Sequence, residues 1–385
     1  MRLHPALVLV TCLPFTTASH VNAQRSVSSW QPVADMLVRR MALKKGERVL
    51  LVGQPGLADS LVPRLRSAIT RAGGVDLGAV AVRGTWPDAW MTDFTRQLGR
   101  ASAQDLAGLV AQVDAGIMLP GAAPGDAIYA ALQEKVRTDA GGGRTIHFHW
   151  AGAYNLDGTA FDATPAVDAV YRRVLLATNY AGLGAKQRAF ERAMRGGEVR
   201  VTTPAGTDVR FRIGDRPVTR QDGDASARRA AQGRNLIDRE VEFPAGAIRV
   251  APIEESVSGK IVFPPGVWGN ERVEGLVMTF ESGRVTSFDA AAGKAGVERE
   301  LAVGGMRSFR EFALGFNPLL VIRTDDAKRW IPYYGYGAGV VRLSLGDNTE
   351  LGGVVGGGYL RWNFFTDATV TVLGTPWVRS GKMLR

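Results

Sequence analysis

The chain has 385 residues, of which 45% are hydrophobic and 22% are charged, and its formal net charge is +10. This composition excludes a disordered chain, and the length is sufficient for two domains with separate hydrophobic cores. The positive charge does not indicate nucleic-acid binding, because the basic residues are scattered among acidic ones in nothing longer than pairs such as Lys44-Lys45. We therefore expect no nucleic-acid partner.

The first residues have the pattern of a secretory signal peptide. An apolar run from Leu7 to Phe15 precedes Val21-Asn22-Ala23, whose small residues are typical of a cleavage site. Since the run is too short to span a bilayer, we predict a signal peptide over residues 1–23, cleavage after Ala23, an exported (periplasmic or secreted) protein and no membrane span. Cys12, the single cysteine, lies in this segment. The mature chain then has no disulfide, and lipid attachment at Cys12 is the alternative.

Between residues 24 and 195 helical and strand patterns alternate. This order is typical of right-handed βαβ units and predicts an N-terminal α/β domain with a mainly parallel sheet. The predicted helices are 29–43, 58–72, 127–138, 165–181 and 185–194, and the predicted strands are 48–52, 75–82, 115–119 and 144–150. Gly182 and Gly184 are expected to separate the last two helices, and this helical region is expected to be the hinge between domains. His147 and His149 would share one face of the last strand, where a structural role is favoured over a metal site.

Beyond residue 195 the apolar periodicity changes. Short strand patterns separated by Gly, Pro and Asp predict an α+β domain over residues 196–385, with a largely antiparallel sheet or barrel. The predicted strands are 199–203, 208–213, 248–251, 259–263, 275–280 and 284–289. The arginine-rich stretch 216–234 has no apolar period and is predicted to be a surface loop. The glycine-rich run 352–358 fits either a lid or a tight connection between strands.

The C-terminal part contains a series of motifs. They are PAGTD (204–208), FPAGAIRVAPIEESVSG (243–259), REFALGFNP (310–318), VVRLSLGDNTE (340–350) and YLRWNFFTDATV (359–370). In this order they resemble segments of the thermophilic metallo-aminopeptidase family, of the leucyl aminopeptidase or aminopeptidase T type, across nearly the whole mature chain. The resemblance implies an N-terminal α/β domain, a C-terminal domain that holds two metal ions, and a homodimer.

The same resemblance implies where the metal ligands of the family would fall. Glu311 is the retained ligand position. The other ligand positions fall on Ala247, Arg342, Arg361 and Asn363, and a tyrosine of the family falls on Thr349. Alanine offers no ligand atom, and an arginine guanidinium stays protonated without a lone pair to donate. We therefore expect no dinuclear metal centre at this place and no cofactor.

Arg342 and Arg361 allow two interpretations. In the structural one, both arginines pair with Glu311 and keep the former cavity folded without metal. In the functional one, the two guanidiniums and Asn363 bind the carboxylate of a peptide or another anion.

The sequence thus predicts an exported, non-catalytic relative of the metallo-aminopeptidases that binds a peptide or an anion. The alternative is a divergent metal-dependent aminopeptidase with Glu311 as its general base and two zinc, cobalt or manganese ions at a relocated site. Candidate ligands for such a site are Glu254, Glu255, Glu281 and Asp347.

Overall fold

The structure is a computed structural model that describes residues 30–139, 143–148, 152–161, 164–322 and 329–385. The predicted signal peptide with Cys12, and also His149, lie outside these residues. In the part of the chain that is described, no helix is both long enough and apolar enough to cross a membrane.

The N-terminal part is built on a parallel sheet. Its strands are β1 (Arg48–Gly53), β2 (Val75–Ala81), β3 (Ala115–Met118), β4 (Arg144–Phe148) and β9 (Glu240–Phe243), in the order β2-β1-β3-β4-β9. Its helices are α1 (Gln31–Met41), α2 (Val62–Arg71), α3 (Asp93–Leu98), α4 (Ala103–Val110), α5 (Ala127–Thr138), α6 (Pro165–Ala177) and α7 (Tyr180–Arg195). All neighbouring strands of this sheet run parallel, which confirms the predicted α/β fold. Helices cover both faces, so the apolar strands are buried along almost their full length.

The prediction for the last two helices of this part was wrong about where they separate. The break falls at Thr178 and Asn179, because the Asn179 side chain caps α7 by accepting from the Gly182 N–H at 3.0 Å. Gly182 and Gly184 are therefore helical. A Cβ on Gly184 would lie 3.2 Å from a carboxylate oxygen of Asp222, so the missing side chain permits a close contact there.

The C-terminal part consists largely of antiparallel strands, as predicted. One sheet has the order β19-β18-β16-β10-β8, and a larger one has the order β15-β14-β11-β7-β6-β20-β21-β22, in the strand ranges that follow. The strands are β6 (Val199–Thr202), β7 (Asp208–Phe211), β8 (Thr219–Arg220), β10 (Ala247–Val250), β11 (Ser258–Val262), β14 (Val277–Glu281), β15 (Arg284–Asp289), β16 (Phe309–Gly315), β18 (Val341–Gly346), β19 (Leu360–Phe365), β20 (Thr369–Val372), β21 (Thr375–Arg379) and β22 (Lys382–Met383). A β12–β13 hairpin (Gly266–Trp268 and Glu271–Val273) and helix α9 (Lys294–Leu301) pack beside them.

The core of the C-terminal part lies between these sheets and helix α7. Phe190 of α7, Phe211 of β7 and Phe312 of β16 meet there, with ring centroids 5.1 Å apart for the last two. One face of the β16 sheet is thus packed into the core, and its other face turns toward the N-terminal part.

The arginine-rich stretch 216–234 is not the surface loop that was predicted. It contains β8 and a short helix, α8 (Ala227–Ala230), and Gln221 within it is buried. The Gln221 side chain donates to the backbone carbonyl of Glu240 at 3.0 Å. Polar residues without apolar period can be buried when the fold supplies such hydrogen-bond partners, and periodicity does not reveal these.

Aromatic residues fill the region where the two parts of the chain meet. Strand β5 (Tyr154–Asn155) pairs with β17 (Trp330–Ile331), which follows it far along the chain. Tyr154 packs against Tyr334 and Trp362, with ring centroids 6.0 and 6.2 Å away. This aromatic layer covers the outer face of the β16 sheet, where the candidate site lies.

Candidate functional site

Strand register brings the charged residues of the site onto one face of a sheet. Glu311 on β16 lies opposite Ser344 on β18, and Arg342 lies two residues before Ser344 on the same strand. On the other side of β16, Arg249 of β10 lies opposite Ala313. Because side chains alternate between faces along a strand, Glu311, Ser344, Arg342 and Arg249 all project to the face away from the core.

A β-bulge adds another arginine to this group. The register between β16 and β18 shifts between Phe309 and Glu311, so that Arg310 is an extra residue in the strand. Bulges redirect side chains. Here Arg310 Nε lies 3.8 Å from Glu311 Oε2.

Glu311 is fully buried, and its charge is balanced by these guanidiniums. Arg249 Nε donates to Oε1 at 2.6 Å, and Arg342 Nη2 donates to the same oxygen at 2.8 Å. The hydroxyl of Ser344 donates to Oε2 at 3.3 Å. Burial by itself would raise the pKa of Glu311, but the charges of Arg249, Arg342 and Arg310 outweigh it and hold that pKa well below its usual range. Glu311 is therefore a stable carboxylate and a poor proton acceptor near neutral pH.

A second carboxylate, that of Glu350, lies on the more solvent-exposed side of this group. Glu350 accepts hydrogen bonds from Arg249 Nη2, at 3.2 Å, and from Arg310 Nη2. The Glu350 side chain is 38% exposed, whereas those of Arg249 and Arg310 are almost completely buried. We call Glu311, Glu350, Arg249, Arg310 and Arg342 the arginine cluster.

Aromatic and polar groups surround the arginine cluster. The Arg342 guanidinium lies 4.7 Å from the Trp362 ring and donates to the Tyr334 backbone carbonyl at 3.1 Å. The Tyr336 hydroxyl donates to Glu242 of the parallel sheet. Burial and the nearby Glu242 carboxylate raise the pKa of Tyr336 well above its usual value, so Tyr336 stays a neutral hydrogen-bond donor.

Arg361 does not join Glu311, contrary to the structural interpretation of the sequence. Its position on β19 faces the core side of the sheet, opposite Leu345. Arg361 Nη1 donates to both carboxylate oxygens of Glu300 at 3.0 Å, and the guanidinium lies 3.6 Å from the Trp268 ring centroid. The hypothesis of an ion pair with Glu311 was thus correct for Arg342 and wrong for Arg361.

Two further positions named from the sequence also lie away from the Glu311 carboxylate. Asn363 opposes Leu343 on the core side, where its amide donates to the Leu343 carbonyl at 3.1 Å and accepts from Arg361 Nε. Thr349 is exposed and its hydroxyl donates to Asp347 at 2.6 Å. A third, Ala247, is buried on the Glu311 face among Tyr333 and Tyr336 and offers no polar atom.

The sequence contained a signal that would have corrected this assignment. In β19 the residues on the Glu311 face include Trp362 and Phe364, which oppose Ser344 and Arg342. A shift of one residue in a strand exchanges its faces, so a mapping by motif alone placed Arg361 and Asn363 on the wrong side.

Alternation along β10 also predicts that Arg249 lies on the same face as Ala247, two residues before it. No alternation in the sequence predicts the bulge at Arg310 or the inward orientation of Glu350.

The arginine cluster does not fit a metal ion. A catalytic metal needs about three protein ligands with lone pairs, whereas the groups around Glu311 are three cationic guanidiniums and a hydroxyl. Within the described residues, no group of three or more His, Cys, Asp or Glu side chains could hold a metal ion.

The carboxylates proposed from the sequence as ligands of a relocated metal site either bond to other groups or are exposed. Glu254 accepts from Asn348 Nδ2 at 2.9 Å and from Arg216. Asp347 accepts from the backbone N–H groups of Thr349 and Gly358, at 2.9 Å each. Glu255 and Glu281 are exposed.

The glycine-rich run 352–358 is anchored at several points. The Val354 N–H donates to Glu254 at 3.0 Å, and the Val355 N–H donates to the Asn348 side chain at 2.7 Å. Gly357 approaches Gly304 so closely that a Cβ on it would lie 2.3 Å from the Gly304 carbonyl oxygen. These contacts match a tight connection between β18 and β19 rather than a lid.

Comparisons with known proteins agree with this fold. Residues 196–324 match the family model described as thermophilic metalloprotease (M29). No curated protein sequence matches the chain. Among solved structures, 2,5-dihydroxypyridine dioxygenase from Pseudomonas putida KT2440 is similar with a TM-score of 0.62 and 15% identity, over 93% of this chain and 97% of that one.

AmpT from Thermus thermophilus is similar with a TM-score of 0.57 and 18% identity, over 93% of this chain and 99% of that one. Identities this low show a shared fold alone. Residues 196–324 therefore resemble the thermophilic metalloprotease family in sequence, and the described fold is similar to that of AmpT.

Proposed function

We propose that this chain is a metallopeptidase-like protein without peptidase activity, in which the arginine cluster replaces the metal site and binds carboxylate groups. One observation carries the proposal. Glu311, the ligand position that the sequence retains, is fully buried and hydrogen-bonded to Arg249 and Arg342. A metal ion at Glu311 would have to displace guanidiniums that already neutralise the carboxylate.

The charge of the arginine cluster supports anion binding. Three guanidiniums face two carboxylates, and the Nε atoms of Arg310 and Arg342 are buried donors without a hydrogen-bond partner among the described residues. Guanidiniums bind planar carboxylates through paired hydrogen bonds. The C-terminal carboxylate of a peptide is the ligand that best fits both this chemistry and the relation to a peptidase.

A divergent metal-dependent aminopeptidase is the second candidate, and the match of residues 196–324 to a metalloprotease family favours it. Such an enzyme would need ligands other than the arginine cluster. In that case two divalent ions of zinc, cobalt or manganese would be the required cofactors.

Turnover of aminoacyl reporter substrates separates the two candidates. Purified full-length protein is incubated with zinc, cobalt or manganese, with and without chelator, and its metal content is measured in parallel. The proposal predicts neither stoichiometric metal nor chelator-sensitive turnover. Binding of a peptide with a free C-terminus, but not of its C-terminal amide, is the expected positive result.

We also propose that the protein is exported after cleavage at Ala23 and that it forms a homodimer. The signal pattern of residues 1–23 supports the first statement, and the resemblance of the sequence motifs to the metallo-aminopeptidases supports the second. N-terminal sequencing of the mature protein tests the cleavage. Sedimentation of the same sample tests the dimer.

A further inference from the structure

We propose that the Glu350 side chain occupies a carboxylate-binding site formed by Arg249 and Arg310, and that an external carboxylate binds there once Glu350 rotates out. This inference rests on the proposed function, since it names the anion position within the arginine cluster and the group that controls access to it. Glu350 acts as an internal competitor for the ligand.

The geometry places Glu350 between the buried guanidiniums and solvent. Its Oε1 accepts from Arg249 Nη2 at 3.2 Å and from Arg310 Nη2, so one oxygen is shared by two cations. The Glu350 side chain is 38% exposed, against 6% for Arg249 and 1% for Arg310. Solvent and solutes therefore reach this side of the arginine cluster where Glu350 enters it.

The backbone on both sides of Glu350 is fixed. Leu351 is buried against Ile237 and Ala251, and the buried Asn348 side chain is bonded to Glu254 and to the Val355 N–H. The anchored run 352–358 continues from this turn. With this backbone held in place, the movement that would take Glu350 away from the arginines is a rotation of its side chain.

Charge balance requires a replacement when Glu350 leaves. Arg249 keeps its hydrogen bond to Glu311, but Arg310 loses its hydrogen bond to Glu350 and is left with the 3.8 Å approach of its Nε to Glu311 and the more distant charge of Asp347. A buried guanidinium whose N–H groups have lost their acceptor is unfavourable, so an anion should enter as Glu350 rotates out. A carboxylate suits the site, because the carboxylate of Glu350 already occupies it.

Because Glu350 belongs to the same chain, it also sets the affinity that an external ligand needs in order to displace it. A group held on the same chain competes at an effective concentration on the order of millimolar. Free acids and peptide C-termini share the carboxylate, and both would compete with Glu350 on these terms.

The test is rescue of a Glu350→Ala variant by added carboxylate. In buffer without carboxylate, E350A should unfold at a lower temperature than the wild type. Sodium acetate should restore most of this loss with a saturable dose dependence, whereas sodium chloride at equal ionic strength should not. The wild type should respond much less, because Glu350 already fills the site.

Glu271→Ala is the matched control. Glu271 is 39% exposed and pairs with Arg299, whose side chain is 54% exposed and remains hydrated when the carboxylate is removed. E271A should therefore show no acetate-specific rescue. Equal responses of E350A and E271A, or equal effects of acetate and chloride on E350A, would overturn the proposal.

Two further arms complete the design. An N-acetylated dipeptide with a free C-terminus, compared with its amide, shows whether a peptide C-terminus enters as acetate does; rescue by acetate alone assigns the site to small free acids. Should E350A not fold without carboxylate, recovery of its fold in acetate supports the proposal. Glu350→Gln, which keeps the side-chain volume without the charge, is then measured for the same acetate response. If neither E350A nor E350Q responds to acetate, the proposal is contradicted.

Failure of the proposed function would look different. Metal-dependent turnover by the wild type would refute a non-catalytic role, yet it would leave the acetate rescue of E350A unchanged.

Discussion

Arg249 donates to Glu311 from the neighbouring strand, with 2.6 Å between Nε and Oε1, and both side chains are buried. Burial removes most of the solvation that either charge would have in water, so each depends on the other and on the remaining members of the arginine cluster. Removal of one partner from such a group leaves a buried charge unbalanced.

Glu311→Gln should destabilise the protein by about 3–5 kcal/mol, because the neutral amide leaves Arg249 and Arg342 without their counterion. Denaturant unfolding measures this free energy. Glu271→Gln removes a carboxylate from an exposed pair with Arg299 and should change the free energy of unfolding far less, because solvent screens that pair. Equal stability of E311Q and the wild type would show that Glu311 does not depend on the arginines.

The contribution of Glu311 should depend on pH in a defined direction. The pKa of Glu311 is depressed in the folded protein, so its contribution is fully present above the pKa of the unfolded chain, about 4.3. Below that pH the unfolded state takes up a proton that the folded state does not. The wild type should then lose stability relative to E311Q by about 1.4 kcal/mol per pH unit.

Unfolding of both proteins between pH 3 and 7, roughly the range that spans this unfolded pKa, provides the measurement. The difference between them should be constant in the upper part of the range and should shrink toward acid. A difference that grows as the pH falls would contradict the assigned sign.

Arg361→Met should affect stability without any coupling to Glu311. Arg361 lies on the core side of the sheet, where it pairs with Glu300 and stacks on Trp268. The variant should cost about 1–2 kcal/mol. Combined with Glu311→Gln, the two effects should add to within about 0.5 kcal/mol. A larger interaction energy would place Arg361 with Glu311 after all.

Restoring the residues of the family motif on β19 should not restore a metal site. Arg361→His with Asn363→Asp introduces two metal-binding side chains, but strand register points both away from Glu311. Zinc titration of this double variant, followed by calorimetry, should match the wild type. Tight zinc binding that is lost when Glu311→Gln is added would show that both side chains reach the Glu311 face.

Much of the fold could be predicted because it depends on local apolar pattern. The runs 48–52 and 115–119 are buried strands in nearly the predicted positions, since continuous apolar segments need cover on both faces. The helix break near residue 180 was misplaced because capping by Asn179 outweighs the low helix propensity of Gly182 and Gly184. The stretch 216–234 was missed because its buried polar groups are satisfied by residues distant in sequence.

The candidate site was predictable in part for a different reason. Motif order identified Glu311 and Arg342, and alternation along β10 and β19 could have added Arg249 and excluded Arg361. Arg310 joins through a bulge. Glu350 reaches the arginine cluster from a turn in which its neighbour Thr349 bonds to Asp347 instead. Which of these two adjacent residues faces the arginines depends on tertiary contacts that the sequence pattern does not show.

A double-mutant cycle between Glu311→Gln and Arg342→Met tests the central claim most directly. If guanidiniums replace the metal at Glu311, the cycle should give a coupling free energy of about 1–3 kcal/mol. The value should be the same in excess chelator and in added zinc, because no metal takes part. A coupling near zero, or one that changes when zinc is supplied, would contradict the account.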